Sequence, residues 1–300
     1  MILKYLLLAS LIFSFVDAKI IPTFDLQAYK EKAQSGDANS MYNLGFIYFN
    51  GLQVKKNNEK AFEWYKKASN KGHKQALNNL GFLYENGLGV EKNPSKALSY
   101  YQKAANKGLV VAELNIGLFY EKDPTSSNMK KAFYWYKKAA EHENKIAQNN
   151  LAKLYYNGHS TSTDYQKAFH WFQEAAWQED ALAQYNLSMM YYSSEYVTFN
   201  KEKMLFWLNR AAENGSMHAQ SKLGDLYSSG DVLQKDLKKA FMYYMKAARK
   251  GYEKAIFQIG VFYFYGHGVE MDMTKARVWI EKASNTGYED AILFKERNRL

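Results

Sequence analysis

The chain has 300 residues, of which 47% are hydrophobic and 23% are charged, and its formal net charge is +10. It contains no cysteine, which excludes disulfide bridges, thiolate zinc sites, a cysteine nucleophile and a lipidated cysteine. The lysines are spread along the whole chain, so the positive charge is typical of solvated helix faces, with binding to an anionic surface or nucleic acid as the alternative. These properties indicate a folded protein that is held together by packing alone.

Residues 1–18 differ from the rest of the chain. Lys4 gives a positive start, and Tyr5 to Val16 form an apolar stretch of 12 residues. Val16 and Ala18 stand at the two positions that a signal peptidase reads, so this layout predicts a cleavable secretory signal with the cut after Ala18. A transmembrane helix needs about 20 apolar residues, which makes an uncleaved membrane anchor the alternative. We therefore expect an exported protein, located in a periplasm, the medium or a secretory lumen.

The rest of the chain is built from seven copies of one unit, with a period of 35 or 36 residues. An apolar residue followed by a small one marks every copy: Leu44-Gly45, Leu80-Gly81, Ile116-Gly117, Leu151-Ala152, Leu187-Ser188, Leu223-Gly224 and Ile259-Gly260. A Lys-Ala pair follows it in six copies, and the fifth copy has Lys203-Met204 instead. Such a period is typical of stacked arrays, whose units bury their apolar faces only against neighbouring units.

Each unit reads as two helices. In the second copy, one helix face carries Ala76, Leu80, Gly81 and Tyr84, spaced as on an α-helix. Gly87 is suited to end this helix, and Pro94 to stand in the first turn of the next one. That second helix carries a stripe made of Ala97, Tyr100, Tyr101, Ala104 and Ala105.

The pattern A…LGxxYxxGxGVxxxxxKAxxYYxKAAxxG resembles the Sel-1-like repeat, a branch of the tetratricopeptide superfamily, over residues 25–300. The resemblance implies an all-α fold, a right-handed α-solenoid of about seven antiparallel helix pairs whose first helices line a concave groove. We expect a capping helix within residues 19–37, seven repeats over residues 38–290, and a partial helix over residues 291–300 that caps the C-terminal end.

Among the departures from this pattern, four residues replace a glycine at the end of a helix. Asp123 and Ser194 replace the glycine after the first helix of the third and fifth copies, and Glu143 and Glu179 replace the glycine that closes the second helix of the third and fourth. Since glycine adopts the left-handed conformation most readily, we expect altered loops at these four places, without a break in the stack.

The small residue of each Leu-Gly pair is expected to let the two helices of a unit approach closely, because a larger side chain would overpack the contact. Aromatic pairs such as Tyr100-Tyr101 recur on the second helix of five copies. Because they recur, we interpret them as core and not as a ligand-binding box.

One polar column stands directly before the Leu-Gly pairs. It consists of Asn43, Asn79, Asn115, Asn150, Asn186, Lys222 and Gln258. In related tetratricopeptide proteins the residue at this place points into the groove, and asparagine ladders there hold extended peptides. An asparagine amide can pair with both the N–H and the C=O of a peptide, and Lys222 could pair with an acidic side chain or a terminal carboxylate. The alternative role of the asparagines is to brace the neighbouring helix, and the sequence leaves both roles open.

Patterns for catalysis or metal binding are weak. The six histidines occupy unrelated phases of the repeat, and no nucleotide-binding motif is present. Ser127 and Lys130 form a Ser-x-x-Lys, and cysteine-rich exported relatives of the repeat family are linked to penicillin binding and weak β-lactamase activity. However, Ser127 stands where the N-cap of a second helix is due. We therefore predict no enzyme, no cofactor and no metal site, with a β-lactamase-like activity as the alternative.

The sequence thus predicts an exported protein–protein interaction scaffold. Its partner would be a protein or peptide bound along the groove, with no specific nucleic acid, and with no transmembrane segment once the signal is removed. In a bacterium, the resemblance implies a role in host interaction or in the cell envelope.

Overall fold

The computed structural model describes residues 25–159 and 162–300, so the predicted signal peptide over residues 1–18 lies outside the described residues. All regular secondary structure in the described ranges is helical. The sixteen helices are α1 Leu26–Gln34, α2 Ala38–Asn50, α3 Asn58–Asn70, α4 Lys74–Asn86, α5 Pro94–Asn106, α6 Val110–Glu121, α7 Ser126–Glu141, α8 Lys145–Asn157, α9 Tyr165–Trp177, α10 Ala181–Ser193, α11 Lys201–Glu213, α12 Met217–Ser229, α13 Leu237–Arg249, α14 Glu253–Tyr265, α15 Met273–Ser284 and α16 Glu289–Asn298.

The even-numbered helices α2 to α14 are the first helices of the seven repeats, called helices A below, and the odd-numbered helices α3 to α15 are the second, called helices B. The chain divides into two compact units between Ala147 and Gln148, within α8. Inside each unit, helix A packs against helix B of its own repeat, and helix B packs against helix A of the next repeat. The predicted all-α solenoid of helix pairs is confirmed.

Local sequence explains where the helices B begin and where many helices A end. The Oδ1 atoms of Asn57, Asn93 and Asp236 each accept a hydrogen bond from the backbone N–H three residues later, at 2.8–2.9 Å, which satisfies one otherwise unpaired donor of the first turn. Pro94 occupies the first turn of α5, as predicted. Helix α4 ends at Gly87, which has a left-handed φ of 69°.

The expectation of altered loops is confirmed at one of the four departures and wrong at the other three. Ser194, Glu143 and Glu179 keep the left-handed conformation, with φ values of 60°, 58° and 62°. Around Glu143 the usual turn is also kept, because its N–H donates to the Ala140 carbonyl at 3.0 Å. Only the loop of repeat 3 changes, where α6 ends without a left-handed residue at Lys122.

The small-residue column works as predicted. A Cβ atom added at Gly81 would lie 2.6 Å from Cδ1 of the Tyr101 ring, and one added at Gly224 would lie 2.6 Å from Cε1 of Tyr244. Both tyrosines are buried members of the aromatic pairs on helix B. Repeats 4 and 5, which have Ala152 and Ser188 in this column, carry smaller core residues in place of the tyrosine, namely Phe172 and Leu208. The second residue of each aromatic pair is therefore core, as predicted, while the first, such as Tyr100, is half-buried and packs against the core.

The lysine of the Lys-Ala marker has a role that the sequence analysis did not assign. In all seven repeats its ammonium group lies 5.1–5.6 Å from the centre of a tyrosine ring on helix A of the same repeat. The pairs are Lys60–Tyr48, Lys96–Tyr84, Lys131–Tyr120, Lys167–Tyr155, Lys203–Tyr191, Lys239–Tyr227 and Lys275–Tyr263. Part of the positive charge of the chain therefore stabilises the contact between the two helices of each repeat.

Candidate peptide-binding surface

The predicted polar column lies in a stripe of the helices A that is accessible to solvent in most repeats, although Asn79 and Asn115 are buried. In every repeat we define the helix-A stripe as the column residue together with the residues four before, three after and seven after it, which share one face of an α-helix. In α2 these are Asn39, Asn43, Phe46 and Asn50, and in α12 they are His218, Lys222, Asp225 and Ser229. All eight are exposed or half-buried.

Accessibility of the column differs between the two units. In the first unit, the side chains of Asn79 and Asn115 are only 5% and 8% exposed, while Asn43 is half-buried. In the second unit, all four members are half-buried: Asn150, Asn186, Lys222 and Gln258. The second unit therefore offers the more accessible part of the column.

Two of the asparagines brace the preceding repeat. Nδ2 of Asn115 donates to Oδ1 of Asn78 at 2.8 Å, and Nδ2 of Asn186 donates to Oδ1 of Asn149 at 3.0 Å. Both acceptors belong to an Asn-Asn pair in the previous helix A, so the bond forms where the sequence supplies that pair. The structure gives Asn115 and Asn186 a structural bond, and peptide binding by the column stays a prediction.

Asn79 differs again, because its Nδ2 is buried and has no hydrogen-bond partner among the described residues. The nearby Tyr65 hydroxyl is likewise buried and unpaired there, and burial raises the pKa of Tyr65 above its ordinary value. The seven column residues therefore do not form one uniform ladder.

Among the column residues, Lys222 has the charged group that is most clearly available to a ligand. Its ammonium group lies 4.1 Å from the centre of the Tyr192 ring, and Tyr192 makes an edge-on contact with Phe199. The acid on its own helix, Asp225, is already engaged by Lys254 at 2.6 Å and by the Tyr244 hydroxyl at 2.8 Å. No carboxylate of the described chain forms an ion pair with Lys222.

The stripe of the second unit has a surplus of positive charge. It contains Lys153, Lys222 and Lys254 but only one acid, Asp225. Within the described ranges, Lys153 also has no ion pair. In the first unit, by contrast, the stripe residue Lys122 is paired with Glu85. An acidic ligand is therefore favoured at the second unit over the first.

Sequence reasoning missed the aromatic residues beside the stripe, six positions after the column. Tyr192 is exposed and Tyr156 half-buried. The Tyr156 hydroxyl donates to the Glu195 carboxylate, and partial burial together with this carboxylate raises the pKa of Tyr156 to about 12. The signal was present, because both stand at one phase of the repeat, but their exposure depends on packing and not on sequence spacing.

A second missed set consists of polar residues two positions before the column in repeats 3 to 5. Glu113 is buried and pairs with Lys138 at 3.0 Å and with His142 at 2.9 Å, while Gln148 accepts from Gln178 at 2.8 Å. These contacts tie helix A to the end of helix B in the same repeat. They are structural bonds and add no candidate ligand group.

The predicted N-cap role of Ser127 is wrong. The cap of α7 is Thr125, whose hydroxyl accepts from the N–H of Asn128 at 3.3 Å, and Ser127 is an exposed residue of the first turn. Relative to its marker lysine, α7 begins three residues earlier than the other helices B, since Thr125 stands six residues before Lys131 whereas Asn93 stands three before Lys96. The described residues contain no cluster of three or more histidine or acidic side chains that could hold a metal ion. None of their helices has the length and apolar character needed to cross a bilayer.

Seven consecutive matches to the model of the Sel1 repeat cover residues 38–73, 74–109, 110–144, 145–179, 181–216, 218–252 and 253–288. The chain is 31% identical to c5321, a protective antigen of uropathogenic Escherichia coli with an SLR fold, with a TM-score of 0.76 over 91% of this chain and 58% of that one. It therefore spans less than two thirds of the E. coli protein.

A Sel1 repeat protein from Oxalobacter formigenes is 32% identical, with a TM-score of 0.74 over 91% of this chain and 79% of that chain. Yeast Tom70, at 15% identity and a TM-score of 0.56, shares the fold alone. No curated protein matches the sequence significantly. Because the repeat matches extend from residue 38 to residue 288, the chain belongs to the Sel1 repeat family.

Proposed function

We propose that this protein is an exported interaction scaffold that binds an extended, acidic peptide segment of a partner protein along the helix-A stripe of its second unit. Sel1 repeat proteins are generally protein-interaction scaffolds, which supports the general role. The observation that carries the finer proposal is Lys222, a cation of the accessible column that stacks on an exposed tyrosine and has no acidic partner in the described chain.

The chemistry of the stripe fits a peptide ligand. Half-buried amides at Asn150 and Gln258 can pair with a peptide backbone without regard to its sequence. Lys153 and Lys222 supply charge for acidic side chains, and Tyr192 offers an aromatic face for an apolar one. Aromatic residues at the centre of an interface commonly carry much of the binding energy.

The test begins with a library of random 12-residue peptides displayed on phage and selected on the purified protein. The affinity of one selected synthetic peptide is then measured by fluorescence anisotropy. The double variant Lys222→Gln/Tyr192→Ala is expected to bind about tenfold or more weakly, as expected when a central charged and aromatic contact is removed.

The matched control is Lys246→Gln on helix B, where the lysine also stacks on a tyrosine ring, Tyr243, at 5.2 Å. Its affinity should stay within about twofold of the wild type, since a substitution outside the contact leaves the binding energy unchanged. The proposal would be abandoned if selection enriches no peptide, or if the control and the double variant bind alike.

Export is the second part of the proposal and is supported by the pattern of residues 1–18 alone. N-terminal sequencing of the protein recovered from the host's envelope or medium should begin at Lys19. A protein that starts at Met1 and stays in the cytoplasm would contradict export but not peptide binding.

A further inference from the structure

Large apolar side chains are exposed in a row along the helices B of the last three repeats. The row stands two positions after the alanine or methionine of the Lys-Ala marker. It consists of Phe206, Met242 and Val278, which are 47%, 43% and 59% exposed. The same position is occupied by Glu63, Ser99 and His170 in repeats 1, 2 and 4, so the apolar character is not required by the fold. We call these three residues the helix-B row.

An exposed indole extends the row at one end. Trp177, the last residue of α9, packs edge-on against Trp207 with ring centres 4.8 Å apart, and Trp207 contacts Phe206 at 5.0 Å. Trp177 is itself largely exposed. Four consecutive repeats of the second unit therefore each place one apolar side chain in water.

Basic side chains surround the row. Helices α11, α13 and α15 together contain ten lysines and arginines and three acids. Three of these cations pair with acids outside the helices, as Arg210–Glu179, Lys239–Asp236 and Lys275–Asp272. On α13, Lys238, Lys246 and Arg249 are exposed around Met242. The helices B of repeats 1 to 3 have a similar excess, with nine basic residues and three acids, but only repeat 3 has an apolar residue at the row position, Tyr134.

We infer that the helix-B row docks on an anionic phospholipid surface. Single aromatic and aliphatic side chains that stand out among lysines and arginines can enter the boundary between headgroups and acyl chains, while the cations meet the lipid phosphates and carboxylates. A protein partner would instead be expected to require a few anchors in well-packed pockets, whereas this row alternates with charged side chains. The row lies on helices B and so leaves the helix-A stripe free for a peptide.

The test is flotation of the purified mature chain, residues 19–300, with vesicles of phosphatidylcholine, either alone or with about one third phosphatidylserine. We expect binding only to the serine-containing vesicles, weakening as salt is raised. Phe206→Ser/Met242→Ser/Val278→Ser should bind about tenfold more weakly. Tyr134→Ser, at the equivalent position of repeat 3, should bind like the wild type.

The charges are tested by a second matched pair. Lys238→Gln/Arg249→Gln should lower vesicle affinity about tenfold, since each cation near the surface contributes. Lys130→Gln/Lys66→Gln, which removes the same charge from helices B of the first unit, should change it at most about twofold. Melting curves show whether each variant is folded. If the triple variant is unfolded, the single variant Val278→Thr takes its place, because threonine has nearly the same shape as valine. This variant alone should then bind the serine-containing vesicles more weakly than the wild type.

Three results would overturn the inference. They are no binding of the wild type to phosphatidylserine vesicles at low salt, equal losses in the two charge variants, and equal binding by the row variants and the wild type. Affinity for soluble polyglutamate as strong as for the vesicles, unchanged by the row variants, would assign the basic surface to acidic polymers instead.

Discussion

The contact between the small residue of helix A and the aromatic ring of helix B leads to the sharpest stability prediction. In repeat 2, a Cβ at position 81 would lie 2.6 Å from Cδ1 and 2.7 Å from Cε1 of Tyr101, and 3.1 Å from the Ala97 carbonyl oxygen. The ring has little room to move, because Tyr101 is buried and its hydroxyl donates to Glu85 at 2.7 Å. Gly81→Ala must therefore shift one helix against the other.

The magnitude follows from two opposing effects. Overpacking of a filled core costs about 1–3 kcal/mol, while alanine in place of glycine inside a helix stabilises it by up to about 1 kcal/mol. We expect the free energy of unfolding to fall by about 1–2 kcal/mol in urea titrations followed by circular dichroism. A comparison variant is Ser188→Ala in repeat 5, which adds no atom to the contact because serine already has a Cβ, and which removes the bond from the Ser188 hydroxyl to the Tyr185 carbonyl at 2.6 Å. It should change the free energy of unfolding by less than about 1 kcal/mol, because the lost hydrogen bond and the higher helix propensity of alanine oppose each other.

A double-mutant cycle isolates the contact. In a Tyr101→Leu background, the added methyl of Gly81→Ala should lose most of its destabilising effect, because the ring that it meets is gone. If Gly81→Ala is as stable as the wild type, or equally destabilising in both backgrounds, the proposed reason for the small-residue column is incorrect.

Three further predictions follow from other contacts. Asn115→Ala removes the donor to Asn78 and leaves a buried acceptor unpaired. Urea titration should therefore show that the free energy of unfolding falls by about 1–3 kcal/mol. An equal loss for the half-buried Asn150→Ala would contradict this reason. Glu143→Gly should raise the melting temperature, because glycine relieves the left-handed φ of 58°; a lower melting temperature would contradict that reason.

The third concerns acid. Hydrogen bonds from Lys239 and Lys275, chiefly from their backbone N–H groups, lower the pKa of Asp236 and Asp272. Their stabilisation should be present above about pH 4 and lost as pH falls through the lowered values. Asp236→Asn/Asp272→Asn keeps the caps but removes their ionisation, so the free energy of unfolding should fall less steeply below about pH 4 than in the wild type. An unchanged slope would show that these two caps contribute nothing to the loss of stability in acid.

Much of the fold could be predicted from sequence because it repeats. The period, the Leu-Gly pairs and the aromatic pairs report local packing that recurs in most units, so Gly81 and Tyr101 could be assigned before their contact was seen. The loops were less predictable. Glu143 and Ser194 adopt the left-handed conformation that glycine prefers, because the surrounding turn imposes it. The free energy that this conformation costs at a single residue is small enough for the fold to tolerate.

The candidate site was predictable only in outline. Spacing placed the column on one face of the helices A, but burial decides what each member can do, and burial depends on neighbouring repeats. Asn115 lies near Asn78 of the previous repeat, while Lys222 lies over Tyr192. Neither partner follows from the repeat pattern, since the pairing residue differs from one copy to the next. The helix-B row was missed because isolated apolar residues on a helix read as ordinary surface.

Photo-crosslinking from a benzophenone built into the selected peptide tests the proposed binding surface most directly, because benzophenone reacts readily with methionine side chains within its reach. Met189 lies in the helix-A stripe and is half-buried, whereas Met242 is exposed on helix B. Peptide mapping should find the adduct at Met189 or at Tyr192 beside it. Adducts at Met242, or spread without preference over the helices B, would contradict peptide binding by the helix-A stripe.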